Sequence, residues 1–223
     1  MKTLVFDTSS IITIAMSGLM DPIRELKKRF AGDFYITPSV KVELVDNPLK
    51  TKRFALEAML ISKLIEEGFF KVSKPKDFNK LMKYANSCFY AHEHSIKIVH
   101  LGEMESLAMA VEINADAYVV DERTTRLLVE NPSKLRELLE RKLHTSVRMD
   151  KDAVKEFGKM VKGIKIIRST EMVFVAYEKG YLDNYIPSRY LRKNQVDAIL
   201  WGMRLKGCAI STEEIEKAKR LWE

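Results

Sequence analysis

Short apolar runs alternate with amphipathic stretches along this chain, and the apolar runs predict the strands of a sheet. The first run, Leu4–Phe6, is followed by Asp7 and then by small hydroxyl residues. A second run, at 117–120, also ends on an acid, Asp121. Continuous apolar runs of this length are typical of strands buried on both faces of a parallel sheet. Similar runs predict further strands at 33–37, 69–72 and 164–168.

Between these runs, apolar residues recur at intervals of three and four positions, which predicts helices. The predicted helices cover 11–17, 22–30, a stretch starting at Pro38, 49–67, 77–97 and 103–113. Strands that alternate with helices predict an α/β fold, a three-layer α/β/α arrangement around a central parallel sheet of about five strands.

The chain shows no internal repeat and no flexible linker, so we expect a single domain over residues 1–223. Two parts extend beyond the strand–helix pattern. One is a basic helical insert at about 127–162, and the other is a helical C-terminal tail at about 171–223.

Charge is distributed unevenly along the 223 residues. The chain carries 38 Lys and Arg against 31 Asp and Glu, a net charge of +7. Most of this surplus lies between residues 134 and 168, where eleven basic residues accompany five acidic ones. A local positive excess is compatible with an acidic partner such as a nucleic acid.

Several classes of protein are excluded by composition. Two cysteines are too few for a disulfide framework or a four-cysteine zinc site, and they favour a reducing compartment. No signal-peptide pattern opens the chain, and no apolar run approaches the roughly 20 residues that span a bilayer. We therefore expect a cytoplasmic protein without a membrane partner. A single glutamine, Gln195, among many Lys, Glu and Arg favours a thermophilic source.

Acidic residues follow the predicted strands, at the edge where open α/β sheets bind their ligands. Asp7 and Asp121 end two strands, Glu43 lies in the helix after the second strand, and Glu103 and Glu105 open another helix. Carboxylates brought together repel one another unless cations lie between them. Oxygen ligands of this kind suit Mg²⁺ or Mn²⁺, and paired metal ions are a common device for phosphodiester hydrolysis.

Each acid also has a purely structural interpretation. Asp7 could cap a helix, Glu43 could lie on a solvated helix face, and Asp121 could belong to a turn. Glu103 and Glu105 could simply favour the positive N-terminus of their helix. Spacing and composition alone leave both interpretations open.

Taken together, these segments resemble the PIN domain, a family of metal-dependent nucleases that includes toxin–antitoxin ribonucleases. The resemblance is strongest to an archaeal or thermophile-like subgroup with a Gly-Glu-x-Glu motif. The segments that match are 4–9, 42–43, 102–110 and 117–123, with a family-like tail at 163–170 and 178–180.

The resemblance implies roles for individual residues by position. Asp7, Glu43, Glu103 and Asp121 correspond to the family's four catalytic acids, and the same four with Glu105 are the expected ligands of Mg²⁺ or Mn²⁺. The small polar residue that steadies the first acid corresponds to Ser9. One departure concerns the end of the motif, where the family often has Asp-x-x-x-Arg. Arg126 follows Asp121 with one residue too many.

Basic residues in and near the insert are expected to contact the phosphates of a nucleic acid. These are Arg123, Arg126, Arg136, Arg141, Lys142 and Arg148. The family resemblance makes RNA the expected substrate, with DNA as an open alternative. It also implies an antitoxin-like protein or a second copy of the chain as a partner.

Three functions remain open from the sequence. The first is a divalent-metal-dependent endo- or exoribonuclease. The second is a PIN-fold binding module in a ribosome-associated or toxin–antitoxin complex without significant cleavage. The third is a receiver-like or phosphatase α/β domain, which is disfavoured because the expected Lys or Thr motif does not follow the fourth strand.

Overall fold

A central sheet of five parallel strands organises the chain, of which the computed structural model describes residues 2–221. Its strand order is β3-β2-β1-β6-β8. In chain order the strands are β1 (Lys2–Phe6), β2 (Gly32–Ile36), β3 (Lys71–Val72), β4 (Phe89–Ala91), β5 (His94–Ser95), β6 (Ala117–Val119), β7 (Arg148–Met149) and β8 (Ile166–Ile167). The predicted α/β class and parallel sheet are confirmed.

Thirteen α-helices surround the strands in the described part of the chain. They are α1 (Thr8–Met16), α2 (Met20–Phe30), α3 (Pro38–Lys41), α4 (Asn47–Thr51), α5 (Ala55–Glu66), α6 (Asn79–Ala85), α7 (Leu101–Glu112), α8 (Arg123–Glu130), α9 (Pro132–Leu143), α10 (Lys151–Met160), α11 (Ser169–Glu178), α12 (Arg192–Leu205) and α13 (Thr212–Arg220). A π-helical segment, Val42–Asp46, joins α3 to α4.

Two hydrophobic cores lie on opposite faces of the sheet because successive strand residues point in opposite directions. On β1, Leu4 and Phe6 enter the first core and Val5 enters the second. The first core packs against α1, α2, α5 and the helices of the tail, whereas the second packs against α6 to α10. These are the three layers predicted from the sequence.

The segment predicted as a basic insert contributes to the second core. Leu135 and Leu139 of α9 and Phe157 of α10 are buried there beside Tyr118 of the central sheet. Strand β7 pairs with β4 in a small antiparallel sheet of order β5-β4-β7. The last two residues of the predicted tail, 222 and 223, lie outside the described residues.

The predicted helix at 77–97 is wrong beyond Ala85. Residues 89–95 form a hairpin in which Ala91 pairs with His94. His92 and Glu93 turn the chain with φ values of 48° and 63°, the left-handed pair of a two-residue turn. Neither residue is the glycine or asparagine that usually marks such a turn, so no local signal in the sequence indicated it.

The long helix predicted at 49–67 is also wrong, because it is two helices, α4 and α5, separated by a tight bend. Lys52 and Phe54 adopt left-handed backbone angles there, with φ of 63° and 61°. Asn47-Pro48 places a proline in the first turn of α4, as is usual for a helix start.

None of the helices described between residues 2 and 221 combines the length and the apolar character of a membrane-spanning segment.

Candidate active site

Asp7 lies where β1 passes into α1, and its position is fixed by hydrogen bonds. Its carboxylate Oδ2 accepts from the backbone N of Ser9 at 3.0 Å and from Ser9 Oγ at 2.6 Å. The backbone N of Asp121 donates to the same Ser9 Oγ at 3.0 Å, so this hydroxyl joins the ends of β1 and β6. Burial raises the pKa of Asp7 to about 6, and the charge of Glu43 adds to the rise.

Glu43 lies in the π-helical segment and faces the end of β1. Its Oε2 accepts a hydrogen bond of 2.5 Å from Thr8 Oγ1, one residue after Asp7. On its other side lies the backbone of Gly102, where an added Cβ would come within 2.9 Å of Glu43 Oε1. The glycine of the Gly-Glu-x-Glu motif thus leaves room for the carboxylate of Glu43.

Glu103 stands in the first turn of α7, where its Oε2 accepts from the backbone N of His100 at 2.9 Å. Burial raises the pKa of Glu103 to about 7, and the charges of Asp7 and Glu122 contribute to the rise. The helix N-terminus therefore holds Glu103 beside Asp7 and close to an acid that was not predicted, Glu122.

Glu122 is a further acid near Glu103, and it is not among the site residues predicted from the sequence. It caps α8, where its Oε2 accepts from the backbone N of Thr125 at 2.7 Å. The charges of Asp7, Glu103, Glu122 and Glu43 all raise the pKa of Tyr118, after the effect of burial. Tyr118 lies on β6, and its hydroxyl donates to the backbone O of Glu103 at 3.3 Å. We call these four carboxylates the acidic cluster.

A signal for Glu122 was present in the sequence. The family pattern Asp-x-x-x-Arg fits Asp121 and Arg126 only with one extra residue. With Glu122 in the place of the acid, the spacing to Arg126 fits without any insertion. The mismatch in spacing from Asp121 therefore indicates Glu122, one position further along the chain, as the acid of the pattern.

Asp121 is fully buried and makes different contacts. Its Oδ1 accepts from the backbone N of Ser169 at 2.8 Å, and its Oδ2 accepts from Ser169 Oγ at 2.5 Å. Its charge adds to the rise that burial causes in the pKa of the Cys208 thiol, to about 12. The structure thus turns the Asp121 carboxylate towards α11 and the tail. Its catalytic and metal-binding role remains a prediction.

Glu105 is also buried, and its carboxylate is engaged in a hydrogen bond. Its Oε2 accepts from the backbone N of Ser39 at 3.0 Å, in the first turn of α3. Thr37 Oγ1 and Ser106 Oγ, 3.3 Å apart, connect the same two elements. Because α3 runs directly into the π-helical segment, Glu105 helps to set the position of Glu43. Its predicted role as a metal ligand has no direct support in these contacts.

The acidic cluster has the oxygen donors that Mg²⁺ and Mn²⁺ prefer. No Lys or Arg in the described part of the chain forms an ion pair with any of its four carboxylates. In residues 2–221, however, no group of three or more His, Cys, Asp or Glu side chains is already arranged to hold a metal ion. The donor set fits a hard divalent cation, and binding it would require the side chains to converge.

The predicted nucleic-acid-binding residues lie on α8, α9 and β7. Arg123, Arg141, Lys142 and Arg148 are exposed, whereas Arg126 and Arg136 are half-buried. The Arg148 guanidinium lies 4.4 Å from the ring centroid of Tyr90. Arg136 Nε is 4.0 Å from Glu140 Oε1, and Arg141 Nε donates to the backbone O of Glu137 at 3.3 Å.

A family model for the PIN domain matches residues 3–132, more than half of the chain. The match begins in β1 and reaches α9, and it includes all four members of the acidic cluster. No curated protein and no solved structure matches the chain significantly. PIN domains are generally nucleases, and PIN nucleases typically use a divalent metal ion. On this match, which agrees with the parallel sheet and the acids at its edge, the chain belongs to the PIN-domain family.

Proposed function

We propose that this protein is a divalent-metal-dependent ribonuclease that uses Asp7, Glu43, Glu103 and Glu122 as its metal-binding carboxylates. The observation that carries the proposal is that all four carboxylates lie close enough to Tyr118 for their charges to raise its pKa, although their side chains are not yet gathered into a metal site. Two members, Asp7 and Glu103, have raised pKa values because they are buried near other acids without a compensating cation. Like charges held together in this way favour a bound cation.

Mg²⁺ or Mn²⁺ would supply a nucleophilic water and stabilise the charge that develops on the scissile phosphate. The protein's own groups would position the ion and the substrate. Ser9 fixes the orientation of Asp7, Gly102 leaves space for Glu43, and the N-terminus of α7 holds Glu103. Glu43 is exposed, and Glu103 and Glu122 are half-buried, so these side chains have the freedom to close around an ion.

The assignment departs from the sequence-based one at two positions. Asp121 and Glu105 become structural residues, since both carboxylates are buried in hydrogen bonds to backbone amides of neighbouring helices. RNA as the substrate rests on the family resemblance and on the basic residues of α9 and β7. The two cysteines are buried and free, which suits a cytoplasmic enzyme.

The decisive experiment measures cleavage of a labelled single-stranded RNA with Mn²⁺, with Mg²⁺ and with a chelator. We expect cleavage only with a metal ion, and a loss of about 100-fold or more in Glu122→Gln, because several kcal/mol of charge stabilisation depend on the metal. Glu213→Gln, on the exposed surface of α13 and away from the basic residues of α9 and β7, is the matched control. Tight RNA binding without any metal-dependent cleavage would instead support a binding module, and metal-independent cleavage would show a different mechanism.

A further inference from the structure

A groove of about 510 Å³ opens beside Glu43, and the proposed catalytic residues do not account for it. Its walls come from α1, the π-helical segment, α5 and the end of α12, and most of the lining side chains are apolar, including Ile12, Leu44 and Ala58. This volume lies within the range that accommodates small molecules and single ring systems. Glu43 belongs both to this groove and to the acidic cluster, so the two are continuous.

The bend between α4 and α5 places an aromatic ring on the lip of the groove. Phe54 lines the groove and is 47% exposed, so this large apolar side chain is partly accessible to a ligand. The guanidinium of Arg53 lies 5.0 Å from the centroid of this ring. Planar groups of this kind, phenyl and guanidinium, are the side chains on which proteins stack unpaired bases.

Basic residues lie in the groove and in the segment that adjoins it. Lys206 lines the groove, and Lys50, Lys52 and Arg53 lie in the segment between Pro48 and Phe54, whose two end residues also line it. All four are exposed, and within residues 2–221 none of them forms an ion pair. An apolar groove with one lysine in its lining and three more basic residues in the adjoining segment is complementary to a chain with planar apolar bases and anionic phosphates.

One carboxylate inside the groove has no use in the proposed catalysis. Glu57 lies on α5, lines the groove and is half-buried, and it forms no ion pair among the described residues. A carboxylate offers only acceptors, so it favours a base edge that presents N–H donors. Guanine presents two adjacent donors on its Watson–Crick edge, whereas uracil presents one donor between two carbonyl oxygens.

We propose that this groove binds an unpaired base of single-stranded RNA, with the base stacked on Phe54 and Glu57 accepting hydrogen bonds from its N–H donors. The adjoining phosphate then lies at the acidic cluster, so the inference rests on the proposed function and gives it a substrate class. A paired and stacked base cannot enter the groove, which restricts the substrate to single strands or loops. A base with adjacent donors, as in guanine, is preferred.

The test measures the affinity of fluorescent eight-nucleotide RNAs by anisotropy, in a chelator and separately in Ca²⁺. One probe is all uridine, and the other has a single central guanine. We expect the wild-type protein to bind the guanine probe at least about fivefold more tightly, and Glu57→Gln to abolish this preference. Phe54→Gly should weaken both probes by about tenfold, in the range found for removal of a stacking side chain. Glycine suits the left-handed backbone at this position, so this variant should fold.

The matched control is Leu56→Ala, which removes an apolar side chain that is 67% exposed on α5 and does not line the groove. Its RNA affinity should equal that of the wild type. Three results would each overturn the inference. The first is an unchanged RNA affinity in Phe54→Gly, and the second is an equal loss of affinity in Phe54→Gly and Leu56→Ala. The third is a wild-type protein that binds neither probe. A dimer in sedimentation that Phe54→Gly dissociates, with RNA affinity unaltered, would assign the groove to a second copy of the chain.

Failure of this inference is distinguishable from failure of the proposed function. If the wild type cleaves RNA with Mn²⁺ and Phe54→Gly binds RNA with wild-type affinity, the nuclease function is supported and the base-binding groove is contradicted. If the protein cleaves no RNA but its RNA affinity depends on Phe54 and Glu57, the base-binding groove is supported and the nuclease function is contradicted.

Discussion

The carboxylate of Glu43 lies against the backbone of Gly102, so closely that a Cβ at residue 102 would come within 2.9 Å of Oε1. This contact joins the π-helical segment to the first turn of α7, the two elements that carry Glu43 and Glu103. The glycine therefore serves the geometry of the acidic cluster, since its backbone has no left-handed conformation that would itself require glycine.

Gly102→Ala should displace the Glu43 carboxylate and lower kcat/KM for RNA cleavage by about tenfold or more, since small misplacements at an active site are costly. The affinity for Mn²⁺, measured by thermal shift, should fall as well. Gly158→Ala in α10 is the matched control, because a Cβ there meets nothing within 4 Å. That control should gain up to about 1 kcal/mol of stability and keep full activity. Equal activity in both variants would contradict the positioning role.

Asp7→Asn should stabilise the metal-free protein at pH 8. The folded pKa of Asp7 is about 6, above its ordinary value of 3.8, so folding favours the protonated form. Ionised Asp7 therefore lowers the free energy of unfolding as the pH rises from about 4 through 6, by roughly 3 kcal/mol at most. The gain from the substitution should be present at pH 8 and absent near pH 4, which unfolding midpoints in a chelator would measure.

Mn²⁺ provides the complementary measurement. It should raise the melting temperature of the wild type at pH 8, because an ion that binds only the folded form stabilises it. The rise should be smaller at pH 5.5, where Asp7 and Glu103 hold protons, and smaller in Asp7→Asn. An equal rise in wild type and variant would show that the ion binds elsewhere.

Glu122→Gln and Asp121→Asn should separate chemistry from structure. Glu122→Gln should abolish cleavage with little change in stability, because only its charge contributes to the acidic cluster. Asp121→Asn should lower the free energy of unfolding by about 1–3 kcal/mol, since the two hydrogen bonds that Ser169 N and Oγ donate to the carboxylate lose their charged acceptor and the hydroxyl must turn to accept from the amide. Chemical denaturation and a cleavage assay measure the two effects.

The opposite result would restore the assignment made from the sequence. That result is a stable, inactive Asp121→Asn together with an active Glu122→Gln.

Glu103→Gln and Glu105→Gln extend the comparison, because Glu105 contacts Ser39 and Glu103 belongs to the acidic cluster. Glu103→Gln should abolish cleavage and, like Asp7→Asn, raise the stability of the metal-free protein at pH 8, because burial raises the pKa of Glu103 to about 7. Glu105→Gln should lower stability and reduce cleavage by less.

The sequence predicts the sheet and most of the cluster well, because both depend on local patterns. A continuous apolar run that ends on Asp7 identifies a buried parallel strand and the acid at its end. The choice between Asp121 and Glu122 is not local, because it depends on a contact between Asp121 and Ser169, 48 positions away. A strand pattern indicates where a strand ends but not which way the next side chains turn.

The two wrong helices have a similar cause. Lys52, Phe54, His92 and Glu93 adopt left-handed angles that glycine and asparagine usually mark, so composition alone indicated a continuing helix. Packing decides these bends, since α5 buries Ile61 and Leu64 in the first core and β4 pairs with β7. The bend before α5 forms the lip of the groove beside Glu43. This groove is harder to predict than the acids, because the bend lies outside the segments that match the family pattern.

Replacing four basic residues together should weaken RNA binding without affecting the metal site. The four are Arg136, Arg141, Lys142 and Arg148, each changed to Gln. The acidic cluster repels phosphate until a cation fills it, so a separate positive surface is needed to hold the RNA backbone. Arg148 stacks on Tyr90 and Arg141 bonds a carbonyl of its own helix, and both side chains remain exposed with further N–H donors available. Lys142 is exposed beside them.

Binding to phosphates releases counterions, so the logarithm of the RNA affinity falls linearly with the logarithm of the salt concentration. The slope on single strands is about −0.7 for each neutralised phosphate. The slope should flatten by about that amount for each phosphate that the fourfold variant no longer neutralises, while the Mn²⁺-induced rise in melting temperature stays at its wild-type value. A control that removes the same charge from the opposite layer changes Lys28, Arg29, Lys63 and Lys179 to Gln. If the two fourfold variants have the same slope, the α9 and β7 residues act only through net charge. If the first variant keeps the wild-type slope, they form a solvated surface that RNA does not touch.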